Sequence, residues 1–316
     1  MLIAGAVAAC CITGGTAADA ATAASPTPAG HGTQSQSGWG PRPGGNDYDY
    51  YLALGDSLAW GAQPNSAGVD IKSGHGYADD LAAYLRQHGD KKLKYVNLGC
   101  PGETTGTMLD GGCPYLSSSG QTYKVQETAA IAFLKAHPHS RILVTLDIGA
   151  NNVDGCVSGL TLNETCIEQG LAAAETQVPE ILGGLKAAAG RHVSFVGMNY
   201  YDPFLVAWLD GSSGQTLAKE SVSLSTEFNG IIDTAFAAYH VPVADVSDAF
   251  KTTDFTDTGS IDGTTVPINV ADICNWTWIC ATATSAAGPD IHANNTGYSV
   301  IARTFEATLP HRRHRH

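Results

Sequence analysis

The run Arg141-Ile142-Leu143-Val144-Thr145-Leu146 is almost continuously apolar, with no alternation of inside and outside residues. Such a run suits a strand buried on both faces, as found in parallel sheets with helices above and below. Four other short runs read as strands: Tyr50-Tyr51-Leu52-Ala53, Leu93 to Leu98, His192 to Val196, and Val241 to Val246, where Pro242 points to a sheet edge. Between them lie helical stretches at Tyr77–His88, Gln121–Ala136, Cys166–Ala189 and Thr216–Tyr239, with a last one over Asn294–Leu309. Pro179 is expected to bend or open the third of these. Alternating strands and helices define an α/β fold, a three-layer α/β/α sandwich around a mainly parallel five-stranded sheet. Residues 250–288 show no clear period of either kind.

The chain has 316 residues, 43% of them hydrophobic, enough to bury a full core. Its formal net charge of -13 argues against nucleic acid or an anionic membrane as the main partner. Residues 1–41 contain no Lys or Arg, and an apolar run from Leu2 to Cys11 leads to Ala21-Thr22-Ala23-Ala24. That segment resembles an export signal covering residues 1–24, so secretion is the expected localisation. Val7-Ala8-Ala9-Cys10 also looks like a lipobox, which would make the protein a lipid-anchored extracellular lipoprotein and bring a membrane contact through Cys10. Residues 25–47 form a linker rich in Pro, Gly and Ser, residues 48–310 the expected domain, and His311-Arg312-Arg313-His314-Arg315-His316 a basic tail. Setting aside Cys10 and Cys11 leaves cysteines at 100, 113, 156, 166, 274 and 280, which fall as three local couples. Their placement predicts the disulfides Cys100–Cys113, Cys156–Cys166 and Cys274–Cys280, each pinning a loop. Cys-x-x-Cys spacing is absent from these couples, which makes zinc a weak reading.

In a parallel sheet, ligands sit at the carboxyl ends of the strands. Leu54-Gly55-Asp56-Ser57-Leu58 follows the first strand and lifts a serine onto a sharp turn, making Ser57 the candidate nucleophile. Two further strand-ending turns carry Gly99 and Asn151. Their groups, the N–H of Gly99 and the amide of Asn151, together with the N–H of Ser57, would supply donors for a tetrahedral oxyanion. A base is still required, and His292 stands out because it precedes the terminal helix and lies two residues after Asp290.

These blocks, Gly55-Asp56-Ser57-Leu58, Gly99, Gly149-Ala150-Asn151 and Asp290-Ile291-His292, resemble those of the SGNH, or GDSL-type, hydrolases, in the family's order. The resemblance implies a flavodoxin-like sandwich and ester hydrolysis through an acyl-enzyme. Ser57 would be the nucleophile, His292 the base, and Ser57, Gly99 and Asn151 the oxyanion hole. The three cysteine couples are similar to those of secreted actinobacterial lipases and esterases in the family. Two departures stand out. The family's acid lies three residues before its histidine, a position held here by Pro289, so either Asp290 or the Pro289 carbonyl would orient His292. Asn152 occupies a position where Asp is common, which is expected to affect loop hydrogen bonding more than the reaction.

The expected protein is thus a monomeric carboxylesterase or lipase acting on a small-molecule or lipid ester, with no cofactor and no metal. Two alternatives stand beside it: a carbohydrate acetylesterase, and a surface binding module that keeps the fold without turnover. Asp147 and Asp154 flank Asn151 and would suit a metal, although an acidic loop at a strand end is more simply solvated. Trp276 and Trp278 would line a substrate pocket or bury their loop against the body. Tyr200, Tyr201, Phe204 and Trp208 would form a substrate wall or plain core. Asn163, Asn275 and Asn294 open glycosylation sequons, which mean little if the source is bacterial.

Overall fold

A computed structural model describes residues 48–158, 161–281 and 289–309. The export signal, Cys10, the linker and the basic tail lie outside the described residues. The central sheet is built from β1 (Tyr50–Gly55), β2 (Lys94–Asn97), β3 (Ile142–Asp147), β4 (Val193–Met198) and β5 (Val243–Ala244). Its order is β2-β1-β3-β4-β5, and every pairing is parallel. β3, the run with no alternation, is buried at all six positions and sits in the middle of the sheet. β5 is an edge strand, as Pro242 suggests, and only two residues long.

Helices cover the sheet to give a three-layer α/β/α sandwich. α1 (Ser57–Trp60) follows β1, and α2 (Tyr77–Gln87) packs against the terminal helix α8 (Asn295–Thr308), with the Tyr77 and Phe305 rings stacked at 4.7 Å. α5 (Glu164–Ala188) packs against α3 (Thr105–Asp110), α4 (Gln126–Ala136) and α6 (Gly211–Ala238). α5 carries Pro179 inside an unbroken 25-residue helix, so the opening expected from that proline does not occur. Two helices start away from their expected positions. α4 begins at Gln126 because Gln121 and Tyr123 spend their side chains on backbone carbonyls of the β2–α3 loop. α6 begins at Gly211, where Gly214 lets the helix approach the Ala207 carbonyl too closely for a Cβ. The stretch without a period contains an antiparallel hairpin, Thr258–Ile261 with Thr264–Pro267, and then α7 (Ile268–Trp276).

All three cysteine couples form the local disulfides read from the sequence. Asn163 and Asn294, read as sequon residues, cap the N-termini of α5 and α8. No helix among the described residues is long and apolar enough to cross a membrane.

Leu143 is fully buried in the central strand. Leu143→Ala should lower stability by about 2–5 kcal/mol through lost burial and a residual cavity, read as a lower urea midpoint with unchanged slope.

Candidate active site

β1 and β3 adjoin where the strand order reverses, the crevice in which doubly wound sheets hold their ligands. Gly55 ends β1 opposite Asp147 in the register, with φ of 135°. A Cβ there would lie 2.0 Å from the Asp147 carbonyl oxygen, so glycine is obligatory on both conformational and steric grounds. Asp56 then caps α1, its Oδ1 accepting from the Leu58 N–H at 2.9 Å, and Ser57 becomes the first helical residue.

The turn is held from below by buried polar groups. Asp147 accepts from the Ala59 N–H at 3.1 Å and from the Tyr77 hydroxyl, while Asp56 Oδ2 accepts from the Tyr200 hydroxyl at 2.9 Å. Asp147 is fully buried and both its oxygens are engaged, which corrects the solvated reading of this residue. Burial pushes its carboxyl well above the usual carboxylate range, and the neighbouring charge of Asp56 adds to the shift. Gln126 Oε1 accepts from the Gly55 N–H at 2.6 Å, and its Nε2 donates to the Gly55 carbonyl at 2.9 Å and to Glu103 Oε2 at 2.8 Å. One buried amide thereby joins the Ser57 turn to the loop after β2.

That loop departs from expectation. The Gly99 N–H donates to Asn97 Oδ1 at 2.9 Å, and a Cβ at Gly99 would lie 2.6 Å from the Trp60 nitrogen. Gly99 therefore serves a close approach to α1, and its N–H is not free for an oxyanion. Gly102, three residues on with φ of 76°, has an N–H that makes no hydrogen bond among the described residues. The carbonyl of its neighbour Glu103 accepts from Asn151 Nδ2 at 3.1 Å, which places the Gly102 peptide beside that amide. One N–H of Asn151 remains available. Asn152 Oδ1 accepts from the Thr105 N–H at 3.0 Å and its Nδ2 donates to Thr105 Oγ1 at 2.7 Å, a loop-holding role.

His292 lies on the short strand Asp290–Ala293, which pairs with Thr277–Trp278 ahead of α8. Asp290 Oδ1 accepts from the His292 main-chain N–H at 2.7 Å and lies 2.6 Å from Nδ1. The Pro289 carbonyl makes no hydrogen bond to the ring among the described residues. A second carboxylate, Asp70 on the hairpin Ala62–Pro64 with Asp70–Lys72, comes within 3.5 Å of the same nitrogen. Burial opposes the charged ring, but hydrogen bonds and charge from Asp290 and Asp70 prevail and raise the imidazole well above its ordinary value.

Ser57, Asn151 and His292 line one cleft of about 860 Å³, counting the part open to solvent. Among the described residues, the hydrogen bonds of His292 run to Asp290 and none to Ser57. The rest of the wall is largely apolar, with Val157, Leu162, Ile167, Leu171, Phe204 and Phe228 among its residues, and Tyr200 and Tyr201 also line it. Trp208 instead stacks on Phe255. Trp276 packs edge-on against Phe250, and Trp278 Nε1 donates to Gln63 Oε1 at 3.1 Å, so these two tryptophans bury their loop against the body. Asp154 lines the cleft, with its carboxyl pushed by burial up to about 7.

Among the described residues, two groups bring metal-ligating atoms within 4.8 Å of one another: Asp70, Asp290 and His292, and Cys100, Glu103 and Cys113. The cysteines of the second are tied in a disulfide and offer no thiolate. In the first, the histidine nitrogen is the one facing Asp290. Asp70, Gln126 and Gly102 escape sequence reasoning. Of these, only Gly102 has a signal, as a second glycine in the same turn.

Residues 53–300 match the model of the GDSL-like lipase/acylhydrolase family. No curated protein sequence matches the chain. Among solved structures, an extracellular lipase from Streptomyces rimosus aligns over 82% of this chain and 99% of its own, at 17% identity and a TM-score of 0.52. A phospholipase A1 from Streptomyces albidoflavus aligns over 83% and 100%, at 15% identity and a TM-score of 0.48. An acetyl-xylooligosaccharide esterase from Geobacillus aligns over 82% and 93%, at 13% identity and a TM-score of 0.46. With four fifths of its residues matching one model in sequence, and the sheet order and strand-end site already described, the chain belongs to the GDSL-like lipase/acylhydrolase family.

Proposed function

We propose that the protein is an exported carboxylic ester hydrolase, an esterase or lipase working through an acyl-enzyme on Ser57. The observation that carries this reading is the convergence of Ser57, Asn151 and the Asp290–His292 pair on one apolar cleft. His292 accepts the Ser57 proton through Nε2 as the hydroxyl attacks the ester carbonyl. Asp290 holds Nδ1 and stabilises the imidazolium that forms, taking the role left open between it and Pro289. The oxyanion is met by the N–H groups of Ser57 and Gly102 and by the Asn151 amide, with Gly102 replacing Gly99. The alcohol leaves with the proton from His292, and water activated by the same ring releases the acid. No cofactor enters this cycle.

The wall of Val157, Leu162, Ile167, Leu171, Phe204 and Phe228 favours an acyl chain over a sugar as the group bound beside Ser57. Three disulfides suit an oxidising compartment, and the Streptomyces rimosus neighbour is itself extracellular, both in keeping with export.

Hydrolysis of p-nitrophenyl esters from acetate to palmitate tests the reading. Wild type should turn over, Ser57→Ala should not, and a fluorophosphonate should label wild type stoichiometrically. An inert protein that resists the label would overturn the enzyme reading in favour of a binding module. Activity on acetylated xylan together with none on chains of eight carbons or more would make it an acetylesterase. Asn151→Ala should cost about 3–4 kcal/mol of transition-state stabilisation, seen in kcat rather than KM. Gln126→Leu leaves the Gly55 N–H without its partner and the Gly55 carbonyl with the Cys100 N–H alone. It should lower stability by about 2–4 kcal/mol and reduce kcat, measured by denaturant unfolding and steady-state kinetics.

The neutral ring is the working base, and its carboxylate partners favour the charged one. The rise of kcat/KM with pH should therefore lie above the range of an ordinary histidine. Asp290→Ala should move that rise to lower pH.

A further inference from the structure

The acid beside His292 is built in a way that leaves the ring weakly tied to the rest of the molecule. Asp290 is two residues from His292 on the same short strand, and its Oδ1 receives both the main-chain N–H and Nδ1. This is a local loop closed on itself. It fixes the ring relative to its own backbone and to nothing else.

Asp70 comes from elsewhere. It sits opposite Pro64 in the hairpin that follows α1, so it descends from the nucleophile's side of the site. That hairpin is anchored on the histidine's side by three hydrogen bonds. Gln63 Nε2 donates to Asn295 Oδ1 at 2.8 Å, Trp278 Nε1 donates to Gln63 Oε1 at 3.1 Å, and the Tyr298 hydroxyl donates to the Ala62 carbonyl at 2.8 Å. Its far strand thus delivers a carboxylate to a fixed place, 3.5 Å from His292 Nδ1 and about a third exposed.

We propose that Asp70 is a second positioning residue, sharing the Nδ1 side of His292 with Asp290 and tying the ring to the hairpin beside the nucleophile. The proposal rests on the ester-hydrolase reading of the site. Asp70 touches no reacting atom. It acts through the ring, by holding its plane and by adding negative charge where the imidazolium forms. Four carboxylates act on the ring from different elements: Asp290 on its own strand, Asp70 on the hairpin, Asp56 before α1, and Asp154 after β3. Asp70 and Asp290 are the two at Nδ1, and both shift the ring toward its charged form.

The test is the titration of the His292 ring by NMR in wild type, Asp70→Asn, Asp70→Glu and Asp290→Asn, alongside the pH profile of kcat/KM. Asp70→Asn should lower the ring's pKa by roughly half to one unit, less than a buried partner would because Asp70 is partly exposed. The rise of kcat/KM should move to lower pH by the same amount, with kcat reduced on the plateau. Asp70→Glu should restore most of both, and added salt should shrink the difference between wild type and Asp70→Asn. In the double variant, loss of both carboxylates should exceed the product of the single losses in kcat. An unchanged ring titration in folded Asp70→Asn overturns the proposal. So does a loss of kcat with no movement of the pH profile, which would mark a merely structural hairpin. The ring titration needs no turnover, so an inert protein would sink the hydrolase reading while the Asp70 contact is judged on its own.

Discussion

A missing side chain governs this site. β1 and β3 run side by side until Gly55 and Asp147 face one another, and at that point the chain must turn upward to present Ser57. Any residue but glycine would drive a carbon into the Asp147 carbonyl. With the glycine in place, the Asp147 side chain is free to reach the Ala59 N–H, and Gln126 can bind both polar atoms of the Gly55 peptide. The serine is thus positioned by backbone geometry and buried hydrogen bonds.

The electrostatic consequence is a site crowded with carboxyl groups that water does not reach. Asp56, Asp147 and Asp202 are buried, and desolvation pushes all three above the usual carboxylate range. Around His292 the balance reverses, because there the acids face a ring that can carry the opposite charge. Asp290 is held below its ordinary value by hydrogen bonds and charge from that ring, in spite of burial. The same residue type is therefore pushed up beneath Ser57 and down beside His292. Environment alone sets the difference.

The sheet was legible because parallel strands buried on both faces leave continuous apolar runs, and β3 is the plainest of them. Helix starts were less so. α4 begins late because Gln121 and Tyr123 serve a neighbouring loop, and α6 begins early because Gly214 allows a close contact that no period encodes. In the site, Ser57, Asn151 and His292 could be found because each stands at the end of a readable element or beside one. Gln126 and Asp70 could not, since what matters is a partner brought from far along the chain. Gly99 and Gly102 share one turn, and only the Asn97 side chain decides which N–H is left free.

The apolar wall of the cleft is carried on a different part of the molecule from the chemistry. Val157 and Leu162 lie on the short excursion between β3 and α5, inside the loop closed by the Cys156–Cys166 disulfide, and Ile167 follows in the first turn of α5. None of them supports the Gly55 turn, the Gln126 amide or the histidine strand. Changes in this segment can alter which groups fit the cleft while leaving the supports of Ser57 untouched, since substitutions without shared partners combine almost independently. A lineage of such proteins can therefore vary what the cleft admits by small steps, with the frame around Ser57 intact at each one.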